Sequence, residues 1–302
     1  MPNLQDALWF KSQFQPAIER AIAGTPLNVD MITAFACQET GEIWPVLRRQ
    51  GLATARILEL CVGDTIDASP TGGGRRAFPK DKAELLSVPG GDRMFALARQ
   101  GLIDMAACIP AYRGAASKPD KFCHGFGIFQ LDLQFFKVDP DYFLEKRYAD
   151  FDAALAKCTG ELQSVLKRLG WLQKTSLSDQ ECAGVAIAYN TGRYDPAKGL
   201  KQGYFDGSKY YGENYFAYLQ IARSAQVPAP TPASRGALPG RKTAKKAVAK
   251  KTPAKTTPAK KAVVAKKTSA KRTAAKKATA KKTISKKAAA KKAAAKKSPR
   301  RA

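Results

Sequence analysis

Glu39 is the residue whose type and position best fit chemistry, and it lies in the stretch 28–44. Apolar residues recur through this stretch at the spacing of one face of a helix: Met31, Ile32, Phe35 and Ala36. The pattern predicts a helix that begins at Asn28 or Asp30 and ends at Gly41. Glu39 would therefore stand in the last turn of that helix.

The spacing also predicts which way Glu39 points. It follows Ile32 by seven residues and Phe35 by four, so it shares their apolar face. A carboxyl group buried without a cationic partner keeps its proton near neutral pH, and a general acid requires this. The alternative is that Glu39 turns to solvent or pairs with an arginine.

A second informative stretch runs from His124 to Asp132 and reads H-G-F-G-I-F-Q-L-D. Its two glycines, Gly125 and Gly127, allow tight backbone geometry or the close approach of a ligand. The residues that follow would present Gln130 and Asp132 from a packed element. The alternative is a turn that leads into a core helix.

A third stretch, residues 179–192, is predicted to be a helix with Gly192 as its C-cap. Tyr189 and Asn190 close this helix with an aromatic ring and an amide. Such a pair can hold a sugar by stacking and hydrogen bonding. The alternative is that Tyr189 only completes the apolar stripe of the helix.

Further helices are predicted to support these residues. One lies around 14–23, one starts near Asp92, and one spans about 214–225 with Tyr215 on its inner side. Residues 141–170 are predicted to form two helices with a break near 158–160. No run of apolar residues is long enough to span a bilayer, so no transmembrane segment is predicted.

The three stretches together resemble one family of enzymes. Q-E-T-G at 38–41, G-F-G-I-F-Q-L-D at 125–132 and A-Y-N-T-G at 188–192 resemble, in this order, goose-type lysozymes and soluble lytic transglycosylases. The resemblance implies a mainly α protein with an α+β lysozyme-like fold over residues 1–226. It also implies a large insertion at 45–122, which is compatible with a lid, an extra sugar subsite or a partner surface.

The resemblance implies catalytic roles for three residues. Glu39 would be the acid that protonates the glycosidic oxygen between N-acetylmuramic acid and N-acetylglucosamine. Asp132 occupies the final aspartate of its motif and is a candidate for orienting water. Asp120 lies close to a second cleft aspartate of the family, one residue out of register.

The resemblance also implies a substrate-binding set. It consists of Phe126, Gly127, Gln130, Tyr189 and Asn190. Neither a cofactor nor a metal is implied. The six cysteines show no C-x-x-C spacing, so a zinc site is not expected. Their even number permits three disulfides, but buried free thiols are the simpler expectation if the protein stays in the cytosol.

Two outcomes are open for a glycan activated by Glu39. An inverting hydrolysis requires a second carboxylate, and Asp132 or Asp120 would supply it. A lytic transglycosylase requires none, because a hydroxyl group of the muramic acid itself forms the anhydro product. The sequence does not distinguish these outcomes.

The C-terminal quarter of the chain has a different composition. Residues 241–302 contain 25 of the 52 Lys and Arg residues and no Asp or Glu. In residues 1–240 the other 27 basic residues nearly balance the 25 acidic residues. A Pro-rich linker is predicted at 227–240, followed by a disordered tail at 241–302. The tail resembles those of linker histones and of lysine-rich bacterial proteins similar to them.

Dense lysine binds polyanions through counterion release, so the expected partners of the tail are nucleic acid or an anionic envelope polymer. Two functions follow. The first is peptidoglycan cleavage by Glu39; the second is non-catalytic binding of nucleic acid or chromatin by a protein with a lysozyme-like ligand-binding domain. No signal peptide is recognised at the N-terminus. Synthesis in the cytoplasm is therefore expected, with action on the cell wall after non-classical release or delivery.

Overall fold

A computed structural model describes residues 1–66 and 77–227. The predicted linker from residue 228 onward and the predicted tail lie outside the described residues. The described part is mainly α-helical, as expected. Its helices are α1 (Leu4–Ile22), α2 (Val29–Thr40), α3 (Trp44–Arg49), α4 (Thr54–Leu60), α5 (Lys82–Leu86), α6 (Gly91–Cys108), α7 (Arg113–Ala116), α8 (Pro140–Leu144), α9 (Phe151–Leu169), α10 (Asp179–Thr191) and α11 (Tyr211–Ser224).

A small antiparallel sheet accompanies these helices. Its strands are β1 (Val62–Ile66), β2 (Phe122–Phe126) and β3 (Leu131–Asp132), in the spatial order β1-β2-β3. Gly125 of β2 lies opposite Gly63 of β1 and also opposite Asp132 of β3. The stretch 124–132 is thus a hairpin, and the alternative of a turn into a core helix is wrong.

Helix α2 lies in the core, where it packs against α1 and α11. The Asn28 side chain caps it by accepting a hydrogen bond of 3.0 Å from the backbone N–H of Met31. Nearly every side chain from Met31 to Cys37 is buried. Helix α2, which carries Glu39, is therefore surrounded by packed side chains over most of its surface.

The stretch 45–122 contributes to the same hydrophobic core. It supplies β1, which pairs with β2, and α6, which packs against β2. Leu47, Met94 and Phe122 are buried in the core that contains Phe35 of α2. In the part that the structure describes, this stretch is integral to the fold and not an appended lid.

One predicted helix break is wrong. Helix α9 runs without interruption from Phe151 to Leu169, through the predicted break at 158–160. Its apolar side, with Leu155, Leu162 and Leu166, is buried. Burial of leucines outweighs the cost of one glycine in a helix, which is about 1 kcal/mol. The chain breaks earlier, between α8 and α9.

All six cysteines are free thiols, five of them buried, as expected. Among the helices of residues 1–66 and 77–227, none combines the length and the apolar character that crossing a membrane requires.

Candidate active site

Glu39 lies in the last turn of α2, and its side chain is partly exposed. One turn earlier, the ring of Phe35 packs edge-on against Tyr189, with 5.4 Å between ring centres, and at a tilt against Tyr215, with 4.8 Å. Glu39 is thus on the side of α2 that faces α10 and α11. This is the apolar side that its spacing predicts.

The backbone at this end of α2 is fixed by its neighbours. The Thr40 hydroxyl donates a 2.7 Å hydrogen bond to the carbonyl of Ile128, in the loop between β2 and β3. Gly41 follows, and a Cβ there would collide with the Cys37 carbonyl and the Pro2 ring. The end of α2 is consequently joined to the β2–β3 hairpin, and Glu39 lies beside it.

Tyr211 contacts Glu39 directly. It is the first residue of α11, is only 6% exposed, and donates a hydrogen bond of 2.6 Å from its Oη to Oε1 of Glu39. Burial raises the pKa of Tyr211 well above its ordinary value, and the negative charge of Glu39 raises it further. The phenol therefore stays protonated and remains a donor.

Sequence reasoning missed Tyr211, although a signal for it exists. Tyr211 precedes Tyr215 by one helical turn and so extends the inner stripe of α11. Its partner lies 172 residues away, and no local pattern connects residues at that separation.

Tyr189 lies within the electrostatic reach of three carboxylates, those of Glu39, Glu161 and Asp132. Burial raises its pKa well above the ordinary value, Glu39 raises it further, and Asp132 adds a smaller effect. The neighbouring Asn190 is exposed, and its Oδ1 accepts a hydrogen bond of 3.3 Å from the backbone N–H of Tyr204. Tyr189 packs on Phe35, one turn before Glu39, and lines one cleft together with Leu131, the residue before Asp132.

The two predicted aspartates differ in placement. Oδ1 of Asp132 accepts a 2.7 Å hydrogen bond from the backbone N–H of Gln134, and its Oδ2 lies 3.6 Å from Nδ1 of His124. Asp120 precedes the opposite end of β2, and its carboxylate forms a 2.6 Å ion pair with Lys82. Because β2 runs about 13 Å between its ends, the structure does not bring Asp120 to the end of α2.

Gln130 and Gly127 shape the hairpin. Gln130 has φ +51°, and its Nε2 donates to the carbonyls of Gly127, at 2.8 Å, and Cys61, at 3.2 Å. Gly127 has φ +80°, and a Cβ there would come within 3.0 Å of the Tyr148 carbonyl. The Gln130 amide N–H groups thus bind the hairpin to the residue before β1, and Gly127 permits a close backbone approach.

A small cleft of about 10 Å³, roughly room for one water molecule and partly open to solvent, lies where the hairpin meets α9 and α10. Phe126, Leu131, Cys158 and Tyr189 contribute to its lining. Tyr142 lines it as well, and its buried Oη has no hydrogen-bond partner. The cleft is thus mainly apolar, with aromatic walls and Tyr189 on the side of Glu39.

Within residues 1–66 and 77–227, no group of three or more histidine, cysteine, aspartate or glutamate side chains is placed to hold a metal ion. Comparisons of the chain with protein-family models, curated proteins and solved structures gave no match. The assignment of a function therefore depends on the geometry around Glu39.

Proposed function

We propose that this chain cleaves the glycan strands of peptidoglycan between N-acetylmuramic acid and N-acetylglucosamine, with Glu39 as the general acid. The observation that carries the proposal is the 2.6 Å hydrogen bond from Tyr211 to Glu39. It holds a partly exposed carboxyl group next to Tyr189 and the hairpin. A lysozyme-like arrangement of the three motifs around the end of α2 is part of the proposal.

In this mechanism Glu39 donates its proton to the glycosidic oxygen, and an oxocarbenium-like transition state develops on the muramic acid ring. Tyr211 positions the carboxyl group and receives no proton, since it is neutral throughout. The leaving sugar takes the proton from Glu39. The carboxylate that remains can then act as a base.

Two completions of the reaction are compatible with the site. In the first, Asp132 activates a water, as inverting enzymes do with carboxyl groups about 6.5–9.5 Å apart. In the second, Glu39 accepts the proton of a hydroxyl group of the muramic acid, which attacks the anomeric carbon and forms the anhydro sugar. The hydrogen bond that orients the Asp132 carboxylate supports hydrolysis. Formation of the anhydro sugar requires only Glu39.

The test compares two Glu-to-Gln substitutions that are three residues apart. Glu39→Gln removes the proton donor and is expected to slow the release of soluble fragments from purified peptidoglycan by about a hundredfold or more. Glu42→Gln makes the same change at an exposed position in the turn after α2 and should leave the rate unchanged. Full activity of Glu39→Gln would refute the proposal.

A second function is favoured by the charge of the tail, with 25 basic residues and no acidic residue in 241–302. On this proposal the chain binds nucleic acid or chromatin, or an anionic envelope polymer. Gel-shift assays on the full chain and on 1–240 should show tail-dependent DNA binding that weakens steeply with salt. Unchanged DNA binding after deletion of the tail would contradict it.

A further inference from the structure

Two aromatic rings are held in solvent near the Glu39 site. Tyr204 is 54% exposed and Phe205 is 48% exposed. In residues 1–66 and 77–227 no other aromatic side chain is exposed to this degree. Phe205 pairs with Tyr210 across a short antiparallel bridge, and their ring centres are 5.0 Å apart. The rings of Phe205 and Tyr210 therefore form a small, partly exposed aromatic patch.

The hairpin that carries these rings has a fixed conformation. Oδ1 of Asp206 accepts hydrogen bonds of 2.8 Å from the backbone N–H groups of Ser208 and Lys209. Its Oδ2 accepts one of 2.8 Å from the Asn214 side chain, in α11. Gly207, with φ +104°, makes the turn. The rings are thus presented by a pre-organised turn anchored to α11.

The hairpin is also bonded to the candidate active site. The carbonyl of Tyr204 accepts a 2.7 Å hydrogen bond from the backbone N–H of Tyr211, whose hydroxyl contacts Glu39. The N–H of Tyr204 donates to Asn190, at the end of α10. The backbone of Tyr204 therefore joins the hairpin to two residues of the site, Tyr211 and Asn190.

We propose that Phe205, packed against Tyr210, forms a stacking platform for one sugar ring of the glycan strand, a few sugar units from the bond that Glu39 cleaves. This inference rests on the proposed function. A pyranose ring presents C–H groups on its faces, and these pack on the face of an aromatic ring. A patch two rings wide suits a sugar, whereas a stable protein partner requires about 800 Å² on each side.

The platform should distinguish long from short strands. Full-length protein carrying Glu39→Gln binds without cleaving, so its Kd can be measured by calorimetry. The probes are amidase-stripped glycan strands of octasaccharide length and the disaccharide, in about 0.5 M NaCl to screen the basic tail. Phe205→Ala is added to this background, with Phe205→Trp to restore a ring and Val138→Ala, also an exposed apolar residue, as the matched control.

Phe205→Ala is expected to weaken octasaccharide binding about tenfold and to leave disaccharide binding within about twofold. Phe205→Trp and Val138→Ala should bind the octasaccharide like the parent. Unaltered octasaccharide binding by Phe205→Ala, equal losses for both lengths, or no glycan binding by the parent would each overturn the platform.

Fragment release by the corresponding variants with Glu39 intact is a separate readout. If Phe205→Ala keeps its octasaccharide affinity while Glu39-dependent release persists, the platform fails and the proposed function stands. If the wild type releases nothing, the proposed function fails, whatever the affinities show. Equal thermal midpoints of Phe205→Ala and its parent verify that the variant is folded.

Discussion

The pairing of Tyr211 with Glu39 determines what the site can do at the scale of single residues. The donor is a buried phenol whose pKa is raised by burial and by Glu39 itself. The neutral phenol fixes the position of the carboxyl group through a 2.6 Å hydrogen bond. A group that must first donate a proton and then accept one requires such a fixed position.

Removal of the Tyr211 hydroxyl tests that role. Misplacement of a catalytic group can cost about a hundredfold in rate, so Tyr211→Phe should lower kcat about ten- to a hundredfold. Tyr215→Phe is the matched control, because its hydroxyl donates to the Met31 carbonyl at 3.2 Å and does not touch Glu39. That variant should lose about 1 kcal/mol of stability and keep its kcat. Equal rates for Tyr211→Phe and wild type would contradict the role.

Some of the site could be predicted from residues alone. The position of Glu39 on the packed side of α2 follows from its spacing to Phe35, since the helix period fixes which residues share a face. The contact with Tyr211 could not be predicted, because it forms only when α11 packs on α2. The hydrogen bond from Gln130 to the Cys61 carbonyl likewise joins residues 69 positions apart in the chain.

At the scale of elements, two helical glycines have opposite surroundings. Gly160 in α9 has open space where a Cβ would be, so Gly160→Ala should stabilise the protein by about 0.5–1 kcal/mol. Gly184 in α10 would place a Cβ 2.9 Å from the Tyr194 ring, and Gly184→Ala should destabilise it by about 1–3 kcal/mol. Urea unfolding measures both. If both substitutions changed the free energy of unfolding in the same direction, the described packing around Gly160 and Gly184 would be contradicted.

Helices with local signals were predictable and the sheet was not. The end of α10 at Gly192, with φ +83°, follows from a C-cap preference that operates within one turn. Strand β2 is buried on both sides at Phe122, Cys123 and Phe126, so it lacks the alternation that reveals a strand. Only its pairing with β1 and β3 makes it a strand.

At the scale of the whole molecule, a buried lysine joins distant parts of the described chain. Lys11 of α1 is 5% exposed and forms an ion pair with Asp30. Its Nζ also donates hydrogen bonds to the carbonyls of Ala222 (2.7 Å) and Ala225 (2.8 Å). Lys11→Met should destabilise the protein by about 3 kcal/mol, because these partners stay buried. Lys146→Met breaks an exposed pair with Glu59 and should cost less than about 1 kcal/mol. Equal losses would contradict the role of Lys11.

Acid should destabilise the described part through its paired carboxylates. A hydrogen bond from the partner lowers the carboxyl pKa in each of these pairs: Glu59–Lys146, Asp139–Lys157, Asp179–Gln220 and Glu181–Lys174. A lowered folded-state pKa adds stability above the unfolded pKa of about 4, and this is lost as the pH falls further. The urea midpoint should therefore stay level from about pH 7 to pH 5 and drop toward pH 3. Asp139→Asn should reduce the drop, and an equal midpoint at pH 7 and pH 3 would contradict the pairing.

The mass of the products released from peptidoglycan tests the central proposal most directly. Purified full-length protein and its Glu39→Gln variant are incubated with the same peptidoglycan, and the soluble products are analysed by mass spectrometry. We predict muropeptides cut between N-acetylmuramic acid and N-acetylglucosamine from the wild type alone. Products that end in anhydro-muramic acid would indicate transglycosylation. Products with reducing ends would indicate hydrolysis, with Asp132 activating the water. Identical products from both proteins, or none from either, would contradict the role of Glu39.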